Sequence, residues 1–176
     1  MKIKNLIWML AIIAIVGGCA NKQKKVVEEE MTLSGLKKSN FQAIINGDST
    51  NLYVLKNANG MEVCITNFGG RIVSVMVPDK NGEMKDVVLG FDSILGYTSV
   101  DNNFGATIGR YGNRIANGKI TVAGVEYQLP KNNYGHTLHG GPNGFDKKVF
   151  KANQPDSQTV VLTCVSPDGK RVFREI

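Results

Sequence analysis

The chain has 176 residues, a formal charge of +6 and 20 % charged residues, enough for one domain with a real core and hardly for two. Its basic residues are scattered and never interleave with aromatics in a run, so a nucleic-acid groove is excluded and the charges read as solvated surface. No C-x-x-C pair or Cys/His cluster points to a metal, and no metal or other cofactor is expected.

The first segment is not fold. Lys2 and Lys4 precede an apolar run from Leu6 to Val16, followed by Gly17-Gly18-Cys19. A basic start, a short apolar stretch and small residues before a cleavage point describe a secretory signal over residues 1–18, and the run is short for a membrane span. Val16-Gly17-Gly18-Cys19 resembles a bacterial lipobox, which implies cleavage before Cys19 and lipid on its thiol; an ordinary signal peptide with an incidental cysteine ranks second. Loss of Lys2 and Lys4 lowers the formal charge from +6 to +4. The expected location is the bacterial cell envelope, with the membrane as partner through lipid on Cys19. Residues 19–38 are polar and read as the lipidated cysteine and its tether, with a short helix at Val26–Leu36 possible within it.

Residues 39–176 form the expected folded part. Short apolar or alternating runs are broken by turn residues: Leu52–Lys56, Met61–Thr66, Arg71–Val77, Lys85–Leu89, Lys119–Val122, Val125–Leu129, Val149–Ala152 and Thr159–Val165. Asn57-Ala58-Asn59-Gly60, Pro78-Asp79-Lys80-Asn81-Gly82 and Ala123-Gly124 lie between successive runs, as in hairpins. No stretch keeps helical periodicity over several turns, so the pattern predicts an all-β, mainly antiparallel sandwich. Cys64 and Cys164 sit in two of these apolar runs; a disulfide or two buried free thiols both fit.

The segment from Phe104 to Phe150 carries the chemistry. Asn113, Arg114 and His139 fall on glycine-punctuated loops flanking a strand-turn-strand pattern. Glycine lets backbone approach a ligand closely, and Asn, Arg and His together offer donors and an acceptor to a polyhydroxylated molecule. The glycine spacing is not that of a dinucleotide fingerprint, no G-K-[ST] cradle occurs, and no G-x-S-x-G elbow for a nucleophilic serine is present.

Three ordered motifs resemble the aldose 1-epimerase (galactose mutarotase) family: Gly109-Arg110-Tyr111-Gly112-Asn113-Arg114-Ile115, Leu138-His139-Gly140-Gly141 and Gly144-Phe145-Asp146-Lys147. Asn67-Phe68-Gly69-Gly70-Arg71-Ile72 and Asp86-Val87-Val88-Leu89-Gly90-Phe91-Asp92 fit the same family, whose domain also begins with a strand near Phe41–Ile45. The resemblance covers roughly residues 52–169. It implies a galactose mutarotase-like antiparallel β-sandwich and interconversion of the α and β anomers of free aldohexoses such as glucose or galactose. Asn113, Arg114 and His139 would bind the sugar. Arg110, His136 and Asp146 read as structural, and Tyr111 and Phe145 as core or rim packing. The family's acid histidine and base glutamate have no counterpart here and are expected downstream of Ile176. The resemblance therefore predicts a truncated sandwich that binds sugar weakly, turns it over little or not at all, and self-associates through uncovered strand edges. A non-catalytic carbohydrate-binding lipoprotein module is the alternative, and a lipoprotein serving only assembly is a third reading.

Overall fold

A computed structural model describes residues 31–167. The signal segment, Cys19 and the residues after Pro167 lie outside them. The described residues form strands β1 (Ile44–Ile45), β2 (Asp48–Ser49), β3 (Leu52–Lys56), β4 (Glu62–Thr66), β5 (Arg71–Pro78), β6 (Met84–Asp86), β7 (Arg114–Ile115), β8 (Lys119–Val122), β9 (Val125–Gln128), β10 (Thr137–Leu138), β11 (Lys151–Asn153) and β12 (Val161–Thr163). One short helix, α1 (Ile94–Ser99), interrupts the series.

Every strand pair is antiparallel. The largest sheet has the order β3-β4-β5-β6, and the remaining strands form two-stranded ladders. A period of two governs the faces, because successive side chains of a strand point to opposite sides. In β4 this buries Glu62, Cys64 and Thr66, and in β5 it buries Arg71 and Val73. A bulge between Cys64 and Ile65 shifts the β4–β5 register, which is how Ser74 also reaches the interior. The core gathers Phe41, Leu52, Cys64, Phe68, Val73, Ile94 and Tyr97.

Two polar groups are built into this core. Arg71 is 1 % exposed, and its terminal nitrogens donate to Asn102 Oδ1, Phe104 O, Asn102 O and Asp146 O. The guanidinium carbon lies 5.7 Å from the Phe68 ring and 5.2 Å from the Tyr97 ring. Burial pulls the Arg71 pKa below its usual value, with the Asp146 charge opposing. The carbonyl bonds tie the start of β5 to the loop at 102–104 and to the turn at Asp146, and so fix the sheet to the glycine-rich segment. Glu62 is fully buried; its Oε1 accepts from Leu33 N at 2.7 Å and its Oε2 lies 3.1 Å from Lys56 Nζ.

The bond from Leu33 bears on the segment read as a tether. Residues 32–36 lie against the sheet, with Thr32 and Leu36 buried and Leu33 bonded to Glu62. Thr32 N and Leu36 N bond back across a tight turn instead of starting a helix. The strand expected near Phe41–Ile45 is reduced to β1, preceded by a 3₁₀ turn at Lys38–Phe41. The run Lys85–Leu89 keeps one backbone bond past Asp86, from Val87 N to Val75 O, and then leaves the sheet, because Asp86 Oδ1 accepts from Val75 N and Val88 N. Cys64 is buried, Cys164 is half-buried, and both are free thiols.

Candidate functional site

The ladder β7–β10 builds the site. Arg114 stands opposite Leu138, and Ile115 opposite Thr137. One residue beyond that register, Asn113 and His139 continue the pairing by a different means. His139 N donates to Asn113 O at 3.0 Å. Asn113 N donates to His139 Nδ1 at 3.0 Å. Both residues take positive φ, 61° and 54°, conformations that Asn and His tolerate better than most side chains. The imidazole therefore closes the end of the ladder, where a backbone carbonyl would otherwise accept.

That bond fixes the chemistry of His139. An Nδ1 that accepts a hydrogen bond carries no proton, so the neutral ring holds its proton on Nε2 and presents it as a donor. Arg114 is held by two neutral oxygens: its Nε donates to Asn133 Oδ1 at 2.9 Å and its Nη1 to Asn113 Oδ1 at 3.3 Å. Among the described residues no carboxylate forms an ion pair with it. The guanidinium keeps its full charge and a fixed fork of donors. The structure thus joins Asn113, Arg114 and His139 into one hydrogen-bonded array. Asn113 and Arg114 are exposed and His139 is half-buried.

The glycine after the histidine makes this approach possible. Gly140 has φ +86°, and a Cβ there would overlap the carbonyl of Gly109. The loops at 109 and 140 thus pass backbone to backbone, which only glycine permits. A cleft of about 330 Å³ adjoins the array through Gly109, Arg110 and Gly140 and is walled by Phe145, Lys148 and Cys164. Asn113, Arg114 and His139 do not line it; their array is an open surface feature.

The neighbours take supporting places. Arg110 donates to Ser166 Oγ and Ser166 O at 3.1 and 2.6 Å, bracing its loop to the chain after β12. His136 Nδ1 accepts from Asn117 N at 3.0 Å and so clamps backbone. Asp146 is 4 % exposed, and burial raises its carboxyl pKa while the Lys147 and Arg71 charges oppose that. Phe145 packs edge-on against Phe150, whereas Tyr111 is 47 % exposed at the rim. Asn132 and Asn133, which sequence reasoning passed over, carry the array's support. Their only signal was an Asn-Asn pair preceding Tyr134-Gly135.

The family profile described as aldose 1-epimerase matches residues 51–174. The chain belongs to the aldose 1-epimerase family. It is similar to galactose mutarotase of Rattus norvegicus, 46 % identical over 113 residues that make up 64 % of this chain and 33 % of that one. It is also similar to aldose 1-epimerase of Escherichia coli strain K12, 34 % identical over 128 residues, 73 % of this chain and 37 % of that one. Among solved structures, an aldose epimerase homologue from C. elegans superposes with a TM-score of 0.62 at 33 % identity, covering 64 % of this chain and 35 % of the other. Galactose 1-epimerase from Lactobacillus acidophilus gives 0.60 at 29 % identity, covering 71 % and 37 %. The chain spans about a third of the length of the curated relatives it matches. Its fold is all-β and galactose mutarotase-like.

Proposed function

We propose that the Asn113–Arg114–His139 array is the sugar-gripping part of an aldose 1-epimerase site, which interconverts the anomers of free aldohexoses such as glucose or galactose. Opening a cyclic hemiacetal requires a base at the anomeric hydroxyl and an acid at the ring oxygen; the C1–C2 bond then rotates and the steps reverse. No redox change occurs, so side chains alone can serve. Each positioned proton transfer contributes roughly 10²–10⁴-fold. Arg114 supplies a charged fork towards sugar oxygens, and the Nε2–H of His139 supplies a neutral donor beside it. Donors set in place before reaction stabilise the charge that gathers on oxygen in the transition state. The single observation that supports this reading most is the bond from Asn113 N to His139 Nδ1, which leaves Nε2 as the donor of the neutral imidazole, next to a guanidinium that meets no carboxylate among the described residues.

A second reading, a carbohydrate-binding module without turnover, is favoured by one observation. Among the described residues no carboxylate hydrogen-bonds to the array, so the gripping donors are present without a base in contact with them. Polarimetry of freshly dissolved α-D-glucose and α-D-galactose separates the two. Acceleration over the spontaneous rate that disappears in Arg114→Ala supports the enzyme. Sugar-dependent resonance shifts at an unaccelerated rate support the module, and neither effect would overturn both.

Anchoring is part of the same proposal. Lipid on Cys19 would hold the domain at the bacterial cell envelope, where free hexoses pass; the support is the order of basic, apolar and small residues before Cys19. Self-association is supported by exposed apolar side chains, among them Leu89 at 77 % and Val165 at 79 %.

A further inference from the structure

The turn at 132–136 is tied to its surroundings at three points, two of them on the β7–β10 ladder. Its backbone is closed on itself: His136 N donates to Asn133 O at 2.8 Å and Asn133 N to His136 O at 3.1 Å. Tyr134 and Gly135 between them have φ of 45° and 81°, the paired positive values of a type I′ hairpin turn. From this rigid base three side chains reach out. Asn132 Oδ1 accepts from Leu138 N at 2.7 Å and its Nδ2 donates to Leu138 O at 3.1 Å, pinning the residue before His139. His136 Nδ1 accepts from Asn117 N. Asn133 Oδ1 accepts from Arg114 Nε. Tyr134 at the tip is 93 % exposed and carries none of these bonds.

We infer that Asn133 is a positioning residue, which orients the Arg114 guanidinium towards the sugar and does so with a neutral oxygen that leaves the cation's charge unspent. This rests on the proposed sugar site. Of the five guanidinium N–H groups, Nε is the one nearest the side-chain stem, so a bond there sets the plane of the fork while the outer edge remains directed away. A carboxylate in the same place would hold the plane equally well. It would also form an ion pair and compete with sugar oxygens for the charge. The choice of amide over acid thus separates orientation from neutralisation, and the two can be tested apart.

The test uses the full chain, ¹⁵N-labelled, and reads the Arg114 Nε–H resonance together with titration by D-galactose and D-glucose. Asn133→Ala is expected to shift the Nε–H resonance and speed its solvent exchange, and to weaken sugar binding by about 3–10-fold, the range of one neutral hydrogen bond. Asn133→Asp is expected to keep the Nε–H resonance protected yet still weaken binding by a similar factor. An Nε–H resonance unchanged in Asn133→Ala would overturn the positioning role. Binding equal to wild type in Asn133→Asp would overturn the role of neutrality. Amide spectra of both variants, compared over β3–β5, report whether they fold. If the unaltered chain binds neither sugar, the sugar reading fails, while the Nε–H resonance still decides whether Asn133 orients Arg114.

Discussion

At the residue scale, the molecule distinguishes groups that face solvent from groups committed to the interior. Arg71 and Arg114 carry the same side chain to opposite ends. Arg71 spends its terminal donors on carbonyls and an amide oxygen within the core, whereas Arg114 is steadied by Asn133 and Asn113 and stays at the surface. Cys64 illustrates the interior case. Burial first, and the Glu62 charge second, push its thiol from the ordinary 9.0 up to about 11. The neutral thiol is the form the fold prefers, so its contribution to stability is complete below pH 9 and is lost as pH rises towards 11. Thermal or urea unfolding is therefore expected to show stability falling across that window by on the order of 2 kcal/mol. Cys64→Ala, whatever its offset at pH 7, should flatten the slope; an unchanged slope would contradict the assignment. Motif order marked Asn113, Arg114 and His139 as candidates, and hydrogen bonds bring the three together. Asn132 and Asn133 were not legible in this way, since their importance comes from a turn that folds back onto β7 and β10, a relation no local spacing displays.

At the scale of elements, period-two alternation and glycine-bearing turns located β3, β4, β5, β8 and β9 to within a residue. Those strands pair with their sequence neighbours, so local signals sufficed. Boundaries drifted where side chains override the backbone pattern, as at Asp86, whose carboxylate captures two amides and ends β6 early. The segment 149–165 drifted for a different reason: Val149 and Phe150 pair with residues 67–68, and β11 meets β12 over only three residues on each strand. Helix α1 went unseen because six residues cannot display a repeat of 3.6, and its ends are held by tertiary packing of Ile94 and Tyr97 into the core. The pairing of β7 with β10, separated by a whole hairpin, also left no trace in the periodicity. It is the element on which the array depends.

At the scale of the whole molecule, the described residues make one antiparallel body whose apolar side chains are not all covered. Val87, Leu89, Val161 and Val165 are 49–79 % exposed. If these faces drive association and lipid holds the chain at a membrane, Cys19→Ala should move the protein from the membrane fraction to the soluble one. Sedimented without detergent, that variant should behave as larger than a single chain. Soluble wild type would contradict the anchor, and a clean monomer would contradict the association. The central claim is sharper, and the chain holds its own control, because it contains two histidines that both accept a backbone amide at Nδ1. The decisive measurement is ring-nitrogen NMR of both histidines during titration with D-galactose and D-glucose. The Nε2 resonance of His139 should shift with saturation while that of His136 stays fixed. Equal shifts at both rings, or none at either up to molar sugar, would contradict a sugar site built from Asn113, Arg114 and His139.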